Sequence, residues 1–391
     1  MKSAAAVVTL TLAVVGAPAA KALVINDYFD ATIALDPNAA QIQQAILETT
    51  GRIASLYSNP VTVGIYFQQQ PGFYLGASQS NYYFVPVGDY TAASQAVLAS
   101  HPSDVVLAEA LAHLGTGAGA DPTTNILTTS ANLRALGFDA PGGFEPDGSY
   151  SGTGSLDGVI SLSTINPLDY DPAIPPFSFA DVEFNARNTI AHEVDEILGG
   201  GGAGSVLNFI DDIQNGGTVF DPATDLLVLG SVGPLDRFRY SAPGVPSFTT
   251  DPNATPYFSL DGGATAIVGF NGLAVGDHGD FGPSNCGDFG ASIGGDHVQD
   301  AFACANAATI PLTRGRPEDV MLQSIGWTAT PEPQTWVMMT FGLAVIGGLA
   351  RRRKANQGAR QRDRAELTRH SIHLNCALRR TIPRRHRLLN N

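Results

Sequence analysis

Between residues 23 and 330 the chain is short of cations. Seven Lys and Arg stand there against 33 Asp and Glu, a balance near −26 inside a 391-residue sequence of formal charge −14. Phosphate backbones are held by basic faces, so this part has no nucleic-acid partner. Cysteine is scarce too, and three residues cannot build a disulfide scaffold. No internal repeat of fixed period is present, which removes repeat architectures. What the chain does have is 44% apolar residues, enough to bury a core and to exclude general disorder. Its length suits one large domain or two smaller ones.

Both termini read as addresses. Lys2 precedes an apolar run from Ala4 to Val15, and small residues lead to Ala20-Lys21-Ala22, the form that signal peptidase accepts. Residues 1–22 are therefore expected to be a signal peptide cut after Ala22. Near the other end, Trp336 to Ala350 is apolar except for Thr340 and runs into Arg351-Arg352-Arg353-Lys354. Residues 334–350 are long enough for a short transmembrane helix, and the basic cluster keeps its own side cytoplasmic. That places residues 23–330 outside and 351–391 inside until sorting. Pro331-Glu332-Pro333 stands just before the span. Over residues 331–354 this ending resembles the PEP-CTERM sorting signal of Gram-negative bacteria. The resemblance implies an exosortase partner, a membrane tether before sorting, and delivery to the cell surface or beyond. Two readings stand for the basic tail 355–391: a solvated, disordered extension or a mis-assigned reading frame. Cys286 and Cys304 lie in the exported part, where oxidation is permitted, so a Cys286–Cys304 disulfide is expected, with two small buried thiols as the alternative. Cys376 is expected as a free thiol.

Within 23–330 the pattern predicts alternating elements. Asp36-Pro37 opens a helix to about Ser58, through Ile42, Ile46, Leu47 and Ile53. Val61, Val63, Ile65 and Phe67 then follow at period two, as in a half-buried strand. A second strand is expected at Tyr82 to Val85. Helices are expected around 92–99, 105–114 and 131–136, and a third strand at Val159 to Ser163. A proline-rich loop ends at Ser178, a candidate helix cap. Residues 200–305, rich in Gly, Asp and Pro, read as loops with short strands, and a last helix spans about 317–325.

The chemistry concentrates in Thr189-Ile190-Ala191-His192-Glu193-Val194-Asp195-Glu196-Ile197-Leu198-Gly199. Ile190, Val194, Ile197 and Leu198 share one helical face, while His192 and Glu196, four apart, project together from another. This is the H-E-x-x-H zinc helix with a carboxylate as the second ligand, and Glu193 takes the general-base position. Chance supplies only about 0.02 such matches in a chain of this composition. A carboxylate ligand lowers the field that acidifies bound water, so a weaker site or another divalent metal stands beside zinc. Gly199 to Gly202 form a turn able to return a distant third ligand.

With Arg237 to Gly244, Tyr257 to Gly263, Asn271, Gly276-Asp277, Val298 to Phe302 and Ile325-Gly326-Trp327, this helix resembles a family of PEP-CTERM-bearing metalloproteases with an H-E-x-x-E motif, similar in pattern to zincins. The resemblance implies an α+β, zincin-like fold: mixed sheet, active-site helix and a loop-rich C-terminal half. It also implies zinc on His192 and Glu196, Glu193 as base, and a protein or peptide substrate. Gly202 occupies the position where metzincins place a third histidine. Asp236, Tyr240, His278 and His297 are candidates for the third ligand by residue type. Asp277, Asp280, Asp288, Asp296 and Asp300, interleaved with glycine, are candidates for calcium. His101 and His113 read as ordinary histidines, and Arg237 and Arg239 are expected to pair with carboxylates. The leading expectation is an exported zinc-dependent endopeptidase. The alternatives are a non-catalytic envelope or matrix protein with a degenerate zincin fold, and a calcium-dependent adhesion module.

Overall fold

The computed structural model describes residues 22–114, 124–171, 183–273, 275–282, 297–305 and 307–331. The chain divides into two units, Met1–Thr330 and Pro331–Asn391, and the second lies almost wholly outside the described residues.

The fold begins at once after Ala22. Leu23 is buried, and its N–H donates to the Tyr57 carbonyl at 3.3 Å. β1 (Val24–Phe29), α1 (Ala31–Ala34), α2 (Ala39–Leu56) and β2 (Thr62–Gln70) then form a strand–helix–strand unit whose two strands run parallel. Asp36 does not cap the long helix as expected. Its side chain accepts the N–H of Asn38, and the helix starts two residues later than Pro37, at Ala39. β2 was expected to be half-buried, yet it is covered on both faces. Val63, Ile65 and Phe67 face the main core, while Tyr66 packs with Phe144, Leu156 and Val159 on the other side.

β3 (Gly76–Ser80) and β4 (Tyr82–Pro86) follow, then α3 (Val87–Ser100), α4 (Val105–Ala112), β5 (Asn125–Thr129), α5 (Ser130–Ala135), β6 (Gly158–Ser163) and β7 (Leu168–Asp169). The principal sheet has the order β1-β2-β6-β3, with β6 parallel to β2 and β3 antiparallel at the edge. β8 (Phe184–Asn185) pairs with β7 and leads directly into α6 (Ala186–Ile197). The expected cap Ser178 lies outside the described residues. Asn185 caps this helix instead, its side-chain oxygen accepting from the Asn188 N–H at 3.1 Å.

α6 packs on β3 and β6 and against α2. Ile190, Val194, Ile197 and Leu198 are fully buried there, which confirms the apolar face read from spacing. α7 (Leu207–Gln214), α8 (Pro222–Leu229) and β9 (Ser231–Val232) complete a smaller sheet of order β4-β5-β9. β10 (Arg239–Ala242), β11 (Val245–Pro246), β12 (Tyr257–Phe258) and β13 (Val268–Gly269) make a short antiparallel sheet in the loop-rich half. α9 (Pro317–Ser324) closes the unit. Trp327 behind it is fully buried and donates from its indole to the Leu198 carbonyl at 2.9 Å, pinning the end of α6. The architecture is α+β with mixed sheets. Among the described residues no helix is long and apolar enough to cross a membrane; the expected span at 334–350 lies outside them, as do Glu332 and Pro333.

Candidate metal centre

α6 brings His192, Glu193 and Glu196 to one wall of a cleft of about 650 Å³. The His192 Nδ1–H donates to the Val298 carbonyl at 3.0 Å, which turns Nε2 inward. Nε2 lies 3.8 Å from Glu196 Oε1 and 3.5 Å from Asp280 Oδ2. One donor atom from each of these three residues lies within 4.8 Å of the other two. Asp280 is thus the third member of the group, a residue read from sequence only as a calcium candidate.

Each carboxylate is held from behind. Glu196 accepts the Ser78 hydroxyl at 2.6 Å through Oε2 and the Gly202 N–H at 3.0 Å through Oε1. The same N–H reaches Asp280 Oδ1 at 2.9 Å, and the Gln299 amide donates to that oxygen at 2.9 Å. The glycine turn makes this possible. A Cβ on residue 202 would lie 2.5 Å from Glu196 Oε1 and strike Asp277 Oδ2 as well. Position 202, without the metzincin histidine, therefore serves through its backbone.

The Asp280 loop is fixed by Arg239. This buried guanidinium donates to the carbonyls of His278 at 2.5 Å and Asn271 at 3.4 Å and lies 4.6 Å from the Phe270 ring. Burial lowers its pKa to about 10, with Asp236 partly opposing. The expected carboxylate pairing of Arg239 thus gives way to carbonyls and an aromatic face, because those are what the loop presents. Arg237 donates to the Thr91 hydroxyl at 3.1 Å.

Glu193 is buried against β3, and a Cβ on Gly76 would come within 2.5 Å of its Oε1. Burial, then the neighbouring Glu196, push its pKa well up. Burial and the Glu196 charge likewise raise Asp280 well above the carboxylate range and Asp277 to about 7. Burial pulls the His192 imidazole down, but Glu193 and Glu196 outweigh it and the net shift is upward. Four carboxyl groups therefore crowd one imidazole, and no Lys or Arg lines the cleft among the described residues. A divalent cation is the charge that would relieve this arrangement. One imidazole and two carboxylates fit such an ion.

The other third-ligand candidates do not join this group of three. Asp236 accepts from the Ser205 hydroxyl and from the backbone N–H groups of Val206 and Gly233, tying loops together. Tyr240 is buried in β10 against Gly263. His278 reaches Asn208 through its backbone N–H. His297 lines the cleft, stacked edge-on against Phe281 with Glu318 at 3.7 Å. Among the calcium candidates, Asp277 is held by the Asn208 amide and Asp300 accepts the His297 N–H at 2.9 Å; Asp288 and Asp296 lie outside the described residues. His101 is exposed, as expected. His113 pairs with Glu109 at 3.4 Å, an i,i+4 surface pair that the sequence reading passed over. Cys304 is disulfide-bonded; Cys286 lies outside the described residues.

Residues 329–354 match the family model of the PEP-CTERM protein-sorting motif. The motif marks an exported protein processed by an exosortase and membrane-anchored before sorting. No curated protein and no solved structure matches the chain. None of the comparisons carries the metalloprotease resemblance.

Proposed function

We propose that this exported protein is a metal-dependent endopeptidase, with zinc the expected ion and a zincin-like arrangement around it. The observation that carries the reading is the convergence of His192, Glu196 and Asp280, with Glu193 one residue along and an open strand edge beside it. β3 is bonded to β6 on one side only among the described residues. An extended peptide can add to such an edge through main-chain hydrogen bonds, and that would lay a scissile bond across the cleft.

A bound zinc ion supplies a Lewis acid that polarises the carbonyl and acidifies water. Two carboxylates in the donor set cancel the ion's charge, so this acidification is weaker than in a site rich in histidine. Glu193 compensates as base. Burial, then the neighbouring Glu196, raise its proton affinity, which favours drawing a proton from water. Its carboxylate removes a proton from the attacking water as the carbon–oxygen bond forms. It returns that proton to the leaving nitrogen as the carbon–nitrogen bond breaks. Ser78, Gln299 and the Gly202 N–H hold the ligand carboxylates, and the Val298 carbonyl holds the imidazole tautomer.

The test uses the full chain, purified and supplied with zinc, with bound metal measured by mass spectrometry and cleavage followed on an unfolded-protein substrate. Glu193→Gln is expected to keep the metal and lose on the order of 10²–10⁴ in rate. His192→Ala is expected to lose metal and activity together. Wild-type protein that binds no divalent metal would end the catalytic reading.

A further inference from the structure

A second cleft, of about 710 Å³, opens beside the first, and Ser78 lines both. Its walls are aromatic: Tyr82 and Phe84 from β4, Phe209 from α7, and Phe144, Tyr150 and Phe220 from loops. Tyr82, Phe209 and Phe220 pack edge to face, with centroids 5.4, 6.4 and 5.5 Å apart, so the walls are preformed. Phe220 nonetheless stays 42% exposed and Tyr150 66%. Among the described residues no Lys or Arg lines this cleft, and Asp221 is its charged residue.

β3 joins the two clefts. Its Gly76 end lies against Glu193 in the metal cleft, Ser78 holds Glu196, and Ser80 lies in the aromatic cleft. Gly76, Ser78 and Ser80 alternate along the strand on the face toward the metal group. Alternate residues of an extended strand stand about 7 Å apart, so a peptide paired along β3 spans from the metal group into the aromatic cleft within two or three residues.

We infer that the aromatic cleft is a specificity subsite, which takes an aromatic side chain two or three residues from the scissile bond of an extended polypeptide. The inference rests on the proposed peptide-cleaving site for its register and goes beyond it in naming the substrate. Aromatic rings offset against Tyr82 and Phe220 gain area and edge-to-face contact. Asp221 at the wall disfavours substrates with carboxylates at that position. Single amino acids and dipeptides are too short to reach both clefts.

Binding is measured so that the result does not depend on turnover. Zinc-loaded, full-length Glu193→Gln is titrated with an uncharged ten-residue peptide carrying one Phe, and with the same peptides carrying Ala or Asp in its place. The Phe peptide is expected to bind about tenfold more tightly than the Ala peptide, as one well-packed ring in a pocket allows, and the Asp peptide more weakly still. Adding Phe220→Ala should erase the preference while leaving the Ala peptide unchanged. This position is partly exposed, so the fold should persist, and the unchanged thermal midpoint of the variant checks that. Equal binding of Phe and Ala peptides, no binding of either, or a preference that survives Phe220→Ala overturns the inference. Preference in binding without cleavage by the wild type would instead retain the subsite and remove the peptidase.

Discussion

Gly202→Ala tests the centre through a single methyl group. The backbone N–H at 202 bridges Glu196 and Asp280 at 3.0 and 2.9 Å, and the added Cβ would stand 2.5 Å from Glu196 Oε1. Both obstructing atoms are ends of carboxylate side chains rather than backbone, so the protein can fold by swinging them aside. The movement takes Glu196 out of the position in which it meets His192 Nε2, and crowds Asp277. Loss of such a supporting contact costs roughly 10–100-fold in metal affinity, equivalent to about 1.4–2.7 kcal/mol. Zinc titration by competition with a chromophoric chelator reads the affinity directly. Thermal unfolding supplies the control: the metal-free midpoints of variant and wild type should nearly coincide, and the gain on adding zinc should shrink in the variant by linkage. Unchanged zinc affinity in folded Gly202→Ala would refute the geometry argued for Glu196 and Asp280.

Asp280→Asn and Asp236→Asn separate a ligand from a structural carboxylate. The first should lose metal while keeping its metal-free unfolding midpoint; the second should keep the metal stoichiometry and lose about 1–3 kcal/mol of stability, because the Ser205, Val206 and Gly233 donors lose a charged acceptor. Chemical denaturation with metal analysis distinguishes them. Asp27 supplies a pH signature away from the centre. Burial raises its pKa from 3.8 to about 6, with the Thr50 hydroxyl opposing. The folded state therefore holds a proton that the unfolded state has released, and stability from this group, full below about pH 3.8, is lost as pH rises through about 6. Asp27→Asn should be more stable than wild type above pH 6 by at most about 3 kcal/mol, with the difference vanishing near pH 3.5. An advantage independent of pH would contradict this.

Local physics made much of the framework readable in the residues. The helix of His192 and Glu196 shows its buried and chemical faces by spacing alone, since a 3.6-residue period sorts side chains without help from the rest of the chain. The period-two run from Val61 placed a strand, and the charge balance and terminal patterns placed export and the sorting motif. The edge strand β3 was not readable. Its Gly-Ala-Ser-Gln-Ser composition has no β-branched side chains, because α6 lies so close that Gly76 has no room for a Cβ. A strand chosen for closeness to a helix carries no strand propensity of its own. The third member of the group was equally hidden. Asp280 sits 84 positions beyond Glu196 in the numbering, in a loop whose path depends on a buried arginine, two carbonyls and a glycine backbone. Local spacing determines which side chains leave one helix together, whereas a contact across a long loop depends on how the intervening chain packs. The sequence thus determined which helix carries His192, Glu193 and Glu196 together. Only tertiary packing decided that Asp280 joins that helix, that Gly202 bridges the two carboxylates, and that β3 leaves an edge open beside them.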